Sequence, residues 1–274
     1  MIKIQNLSKK YKKNTFFSLK NVNFSCDKGQ IVGLVGANGA GKSTLLKCMV
    51  GYLGGFEGDI FINGFNVKTQ PVQAKRQFGF ISDDHAVFEV LTGLEYINFM
   101  ADIYGVSTQD RKTRLEKMEE TFHMGERLNN LIGSYSFGMK QKICIMGVLI
   151  YEPEVWILDE PFTGLDAVTT FEVEKLMLDY KNKGKSVLFS SHDLHIVEKL
   201  CDKICIIKQG EVIENCLMSE FNKKHNGESL EDFFIKTFTT VKQTKNENFN
   251  SQKGNCLNKE KSDNSDKSNK SDKQ

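Results

Sequence analysis

Short apolar runs alternate with stretches whose apolar residues recur at helical spacing. The runs Ile2–Leu7, Leu19–Ser25, Ile31–Gly36, Asp59–Ile62, Phe78–Ser82, Val155–Asp159, Ser186–Ser191, Lys203–Lys208 and Glu211–Glu214 predict strands. Helical periodicity falls near 42–51, 92–104, 108–123, 137–150, 168–182 and 193–200. This alternation predicts an α/β core with a mainly parallel sheet. Between 92 and 150 the rhythm breaks, because three helical patterns follow one another without a strand. That stretch reads as a helical subdomain, about 85–150, inserted into the core. SLEDFFIKTF (229–238) carries enough apolar residues for a terminal helix, and from about 241 to 274 the chain is mostly Lys, Asn, Ser, Asp and Gln. Such a tail has little to bury against the entropy of ordering and is expected to be disordered.

Composition narrows the class. At 274 residues, 39% hydrophobic and 26% charged, the chain has the bulk numbers of a globular protein with a well-buried core. Its formal net charge is +2, and ahead of the polar tail basic and acidic residues balance, so no dedicated nucleic-acid partner is expected. No apolar run is long enough to span a bilayer, and MIKIQNLSKKYKK lacks the apolar centre of a signal peptide. The seven cysteines are odd in number and unpaired by motif, and most sit in apolar runs, which favours a reducing, cytoplasmic setting.

GANGAGKST (36–44) fits G-x-x-x-x-G-K-[ST] in full, between an apolar strand pattern and a helical one. The glycines permit backbone geometry that side chains block. The N–H groups of Gly36, Asn38, Gly39, Ala40 and Gly41 are thus expected to face phosphate oxygens. Lys42 reaches the β- and γ-phosphates, the Ser43 hydroxyl suits Mg²⁺, and the helix from Lys42 onward, which includes Thr44, aims its positive end at the same anion. VWILDEP (155–161) reads as a buried strand ending in two carboxylates. Asp159 is expected to hold Mg²⁺ through a water, as this element does in phosphate-loop NTPases, and Glu160 to polarise the attacking water.

With these motifs the sequence resembles the ATP-binding subunits of ABC transporters over about residues 1–240. The resemblance implies a P-loop NTPase core, an N-terminal antiparallel β subdomain and an inserted helical subdomain. It places Tyr11, in LSKKYKK, against adenine. It makes TGLD (163–166) a loop whose Asp166 contacts a partner subunit, and SSH (190–192) the site of a γ-phosphate sensor, His192. YSFGMKQK (135–142) stands where the family carries Leu-Ser-Gly-Gly, with Ser136 and Gly138 retained and Phe137 replacing the first glycine. The helix N-terminus it opens would close on ATP held by the partner. Phe137 fits if its ring packs outward and its backbone needs no positive φ. The family's Gln after the FGFIS strand is here Asp83, an oxygen ligand for Mg²⁺ that adds negative charge; export-type members are similar in carrying an acid there.

The resemblance implies an ATPase using ATP and Mg²⁺, working as a homodimer or as a heterodimer with a second such ATPase. It also implies a separate integral membrane permease and a peripheral place on the inner face of the cell membrane, with export the favoured direction. Two other readings stand beside it. A soluble, non-transport ABC ATPase would usually show a long insertion between Gly41 and Val155 or tandem ATPase domains, and neither is present. A binding-only regulator with a degenerate site rests on Phe137 and Asp83.

Overall fold

The computed structural model describes residues 1–239 apart from 13–14 and 85–87; the polar stretch from 241 onward lies outside the described residues. Residues Met1–Asn226 form one compact unit and a second opens at Gly227.

In the first unit, β1 (Ile2–Lys10) and β2 (Phe17–Cys26) pair antiparallel from Ile2 opposite Cys26. Their inward residues Ile2, Ile4, Leu7, Leu19, Val22 and Phe24 are buried on one face, as period-two alternation requires. Asn6, at φ 51, sits where the register slips between Ile4 and Leu7. The five residues of β3 (Ile31–Val35) are all buried, the mark of a strand covered on both faces. Helix α1 (Lys42–Met49) follows the 36–41 loop. Strands β4 (Glu57–Ile62) and β5 (Phe65–Asn66) complete a four-stranded antiparallel sheet in the order β2-β1-β4-β5. The short helix α2 (Pro71–Lys75), with proline in its first turn, leads into β6 (Phe78–Ile81).

Three helices then follow without a strand: α3 (Gly93–Ile103), α4 (Thr108–Phe122) and α5 (Phe137–Leu149). Each begins at a hydroxyl cap. Thr92 and Glu95 form a capping box on α3, Ser107 accepts from the Asp110 N–H, and Ser136 accepts from the Met139 N–H. The chain returns through β7 (Val155–Asp159), α6 (Ala167–Asn182), β8 (Ser186–Ser191), α7 (Leu194–Leu200), β9 (Lys203–Lys208), β10 (Glu211–Leu217) and α8 (Met218–Lys224). The second sheet has six strands in the order β10-β9-β3-β8-β7-β6, all neighbours parallel except the β9–β10 hairpin.

The α/β core, the antiparallel N-terminal sheet and the inserted helices agree with the sequence reading. Sequence periodicity missed β5, α2 and α8, which are too short to show a period, and it stopped β1 three residues early because Lys9 and Lys10 end it. Lys9 is buried at 8% exposure, its ammonium donating to the Gly54 and Gly55 carbonyls. The described part of the second unit is a helix from 230 onward. Ser229 Oγ accepts from the Asp232 N–H at 3.1 Å, and Phe234 and Phe238 stack at 4.0 Å.

No disulfide joins the described cysteines. Cys26, Cys48, Cys144, Cys201 and Cys205 are buried, and desolvation pushes their thiols up, to about 11 in Cys48 and about 12 in Cys26, Cys144 and Cys205.

The inserted helices meet the core where α5 crosses Gly79 of β6. A Cβ on Gly79 would lie 2.2 Å from Val148 Cγ1 and 2.9 Å from the Tyr151 hydroxyl. Gly79→Ala is therefore expected to destabilise the protein by about 1–3 kcal/mol, read as a lowered urea midpoint at unchanged m-value.

Candidate functional site

Parallel register gathers the chemistry at one edge of the six-stranded sheet. Val35 pairs with Ser191, Asp159 with Ser190, and Ile81 with Leu158. The carboxyl ends of β3, β8, β7 and β6 therefore deliver the 36–44 loop, His192, the Asp159–Glu160 pair and Asp83 side by side. Ligands of open α/β sheets bind in this place.

The loop is wedged by backbone contact. A Cβ at Gly36 would fall 2.5 Å from the Ile207 carbonyl oxygen, and one at Gly41 would fall 2.8 Å from that of Ser18. Gly41, at φ 114, also adopts a conformation closed to other residues. Asn38 and Gly39 are exposed at the loop's tip, while Ala40 is buried. No side chain caps α1. Its first N–H groups are the free donors an anion takes up. Lys42 is only 6% exposed; its ammonium donates to the Gly36 carbonyl at 2.7 Å and stands 3.8 Å from Glu160 Oε1. The Tyr11 hydroxyl lies 3.4 Å from Thr44 Oγ1, which sets the ring beside the first turn of α1.

Ser190 organises the acid pair. Its hydroxyl donates to Asp159 Oδ1 at 2.5 Å and accepts from the Glu160 N–H at 3.0 Å. Burial pushes the Asp159 carboxyl above the usual carboxylate range; the Ser190 and Ser43 hydroxyls oppose this, and the charges of Asp83 and Glu160 add to it. Asp159 Oδ2 is buried and accepts no hydrogen bond, although the Ser43 hydroxyl is nearby. An orphaned carboxylate oxygen beside a serine hydroxyl fits Mg²⁺ with its bound waters, since such sites take few protein oxygens. Asp83 is exposed at the end of β6, with Ser82 Oγ 3.4 Å from its Oδ1.

Glu160 has φ 50, a left-handed conformation uncommon for this residue. Its carboxylate bridges two groups, Lys42 at Oε1 and His192 Nδ1 at 2.8 Å from Oε2. With Glu160 ionised, Nδ1 must donate, which leaves Nε2 of the exposed imidazole as the nitrogen available to a ligand. A base, a cation and an imidazole thus converge on the mouth of an anion-binding loop.

Ser136, Gly138 and Asp166 belong to a second group, built around the turn after Pro161. Ser136 caps α5, accepting from the Met139 N–H at 3.4 Å. Gly138 lies against the Gly164 carbonyl, and Gln141 Nε2 donates to the Pro161 carbonyl at 2.7 Å. Asp166 caps α6, accepting from Thr169 N at 2.8 Å and Thr169 Oγ1 at 2.9 Å. Those hydrogen bonds hold its carboxyl below the usual range. Phe137 is 49% exposed and adopts no positive φ, yet its ring does not simply pack outward: it lies over Gly164. In the sequence reading Ser190 has no role of its own and Gln141 only a place in the YSFGMKQK signature. Both lie inside quoted motifs, but their roles depend on partners distant in the chain.

The family model described as ABC transporter matches residues 19–163. The ABC-type transporter ATP-binding protein EcsA of Bacillus subtilis is 35% identical over 237 residues, 86% of this chain and 95% of the relative. The SkfA peptide export ATP-binding protein SkfE of the same organism is 30% identical, covering 82% of this chain and 92% of the relative. A solved ATP binding subunit of an ABC transporter superposes with a TM-score of 0.82 at 32% identity, over 86% of this chain and 98% of its own. The dimeric post-hydrolysis state of the ATP-binding cassette MJ0796, bound to ADP and Pi, gives a TM-score of 0.71 at 25% identity, over 80% and 99%.

Ser190 is fully buried, so Ser190→Ala strands the Glu160 N–H and one Asp159 oxygen at once. The expected loss is about 1–3 kcal/mol of stability, measured by urea unfolding.

Proposed function

The chain belongs to the ABC transporter family, and on that premise we propose that it hydrolyses ATP as one half of a cassette dimer that powers export through a separate membrane subunit. The observation that carries this reading is the convergence of Lys42, Asp159, Glu160 and His192 at one sheet edge, with Glu160 bridging lysine and imidazole. In the proposed mechanism the α1 amides and Lys42 hold the triphosphate, and Tyr11 stacks on the base. Ser43, Asp159 and Asp83 would hold Mg²⁺, whose charge stabilises the transferring phosphoryl group. Glu160 orients the attacking water and takes its proton, while His192 holds the γ-phosphate by donating from Nε2, which with Nδ1 also donating to Glu160 requires the imidazolium form. The second group, Ser136 and Gly138, serves ATP bound to the partner, and the dimeric MJ0796 cassette supports that pairing.

Export rests on the acid at Asp83 and on the similarity to the SkfE peptide export ATP-binding protein. Among the described residues no helix is long and apolar enough to cross a membrane, so this reading assigns passage to a partner. A groove between α1 and α3, lined by Gly51, Tyr52, Phe80, Tyr96, Met100 and Tyr104, suits that partner. Lys75 lines the groove as well, and exposed apolar side chains occur in it and on α3. Tyr52 is 77% exposed and Ile103 58%, and Phe88 meets Phe99 edge-on at 5.5 Å with both rings open to solvent.

Lys42→Ala is expected to abolish Mg²⁺-dependent ATP hydrolysis. Glu160→Gln should lower it by about 10²–10⁴-fold and trap a dimer with ATP on size exclusion. Hydrolysis that survives Lys42→Ala, or a Glu160→Gln variant that turns over normally, would exclude this site assignment. Tyr52→Glu with Phe99→Glu should release the protein from native membranes while ATP hydrolysis by the purified chain persists. A chain that never associates with a membrane protein would instead favour a soluble ATPase.

A further inference from the structure

Phe137, the residue that departs from the family's signature, makes a contact that a glycine could not. It opens α5 in ordinary helical conformation, so its backbone uses none of a glycine's freedom. Its ring lies so close over Gly164 that a Cβ there would fall 2.2 Å from Phe137 Cδ1 and 2.5 Å from Cε1. Gly164 itself sits at φ 75, in the middle of the turn that begins at Glu160. That turn is held only lightly by its own backbone: Thr163 N donates to the Glu160 carbonyl at 3.3 Å, and Leu165 N to that of Phe162 at the same distance.

Phe162 of the turn meets Phe189 of β8 edge-on at 5.7 Å, and the first two turns of α5 supply further ties. Gly138 lies against the Gly164 carbonyl, where a Cβ would come within 2.8 Å of the oxygen. Gln141 donates to the Pro161 carbonyl at 2.7 Å, and the Lys142 ammonium stands 3.9 Å from Asp166 Oδ2. Among the α5 ties the ring is the bulky apolar contact, and it bears on the one residue of the turn with no side chain of its own. Glycine has the widest choice of backbone conformation, so a ring lying over it narrows what the turn can adopt.

We propose that Phe137 is a positioning residue, whose ring clamps Gly164 to fix the turn after Pro161 and, through it, the carboxylate of Glu160 in the same chain. The proposal rests on the assignment of Glu160 as the base. It binds two places in one protomer, the α5 N-terminus offered to the partner's ATP and the acid of the chain's own ATP site. Movement of the first is thereby passed to the second through a side chain.

The test uses the full-length chain with Phe137→Gly, Phe137→Leu and Gly164→Ala, each followed by ATP turnover and by hydrogen–deuterium exchange without nucleotide. Phe137→Gly is expected to speed amide exchange across 161–166 and to lower kcat on the order of tenfold. KM for ATP should hold within about twofold, because the residues at the phosphate loop are untouched. Phe137→Leu restores both readouts. Gly164→Ala, which drives a methyl into the ring, is damaging alone and milder when combined with Phe137→Gly. Phe137→Ala replaces the glycine variant should that one fail to fold. Unchanged exchange over 161–166, or faster exchange with unchanged kcat, overturns the proposal. Hydrolysis that survives Lys42→Ala overturns the ATP-site reading instead, and the exchange measurement then still judges the clamp.

Discussion

Backbone packed directly against backbone is the constraint on which the rest depends. The 36–41 loop is held between β2, β9 and the β9–β10 turn, with no room for a Cβ at Gly36 or Gly41. Gly36 faces the Ile207 carbonyl, while Gly41 and Gly210 both face that of Ser18. Two hydrogen bonds fasten the stack: Gly210 N to the Ala40 carbonyl at 2.9 Å, and Lys20 N to the Gly210 carbonyl at 2.8 Å. The antiparallel and parallel sheets are thus joined through the loop itself. Its amides are aimed before any ligand arrives, so little of the binding free energy goes into ordering them.

Around that fixed loop the acid pair is organised from the neighbouring strand. One hydroxyl, Ser190, satisfies both Asp159 and the backbone of Glu160, and the left-handed turn at Glu160 swings its carboxylate back towards Lys42. Strain of this kind persists only where the surroundings over-determine it. Here they include the serine below, the lysine and imidazole at the carboxylate, and the turn gripped by α5.

Much of this was legible because the informative residues are contiguous. IVGLV, VWILD and SVLFSS are continuous apolar runs since both faces of a parallel sheet are covered, and the loop and the acid pair sit at their ends. What stayed hidden depends on residues far apart in the chain. Lys9 looked like the end of a strand because its burial depends on carbonyls at Gly54 and Gly55. Ser190 looked like any strand serine. Phe137 looked like a ring to be kept out of the way, since nothing in YSFGMKQK reveals that a bare glycine in TGLD waits beneath it.

The buried cysteines give the fold an internal clock. They are spread over the antiparallel sheet (Cys26), the helix behind the phosphate loop (Cys48), the inserted helices (Cys144) and the parallel sheet with its flank (Cys201 and Cys205). Each is shielded, and desolvation keeps its thiol protonated, so alkylating reagents meet almost no thiolate in the native state. Modification of each site therefore waits on local or global opening, and its rate dates the opening of the element that carries it. Natural residues have placed a separate reporter in each layer of the molecule, with no label added.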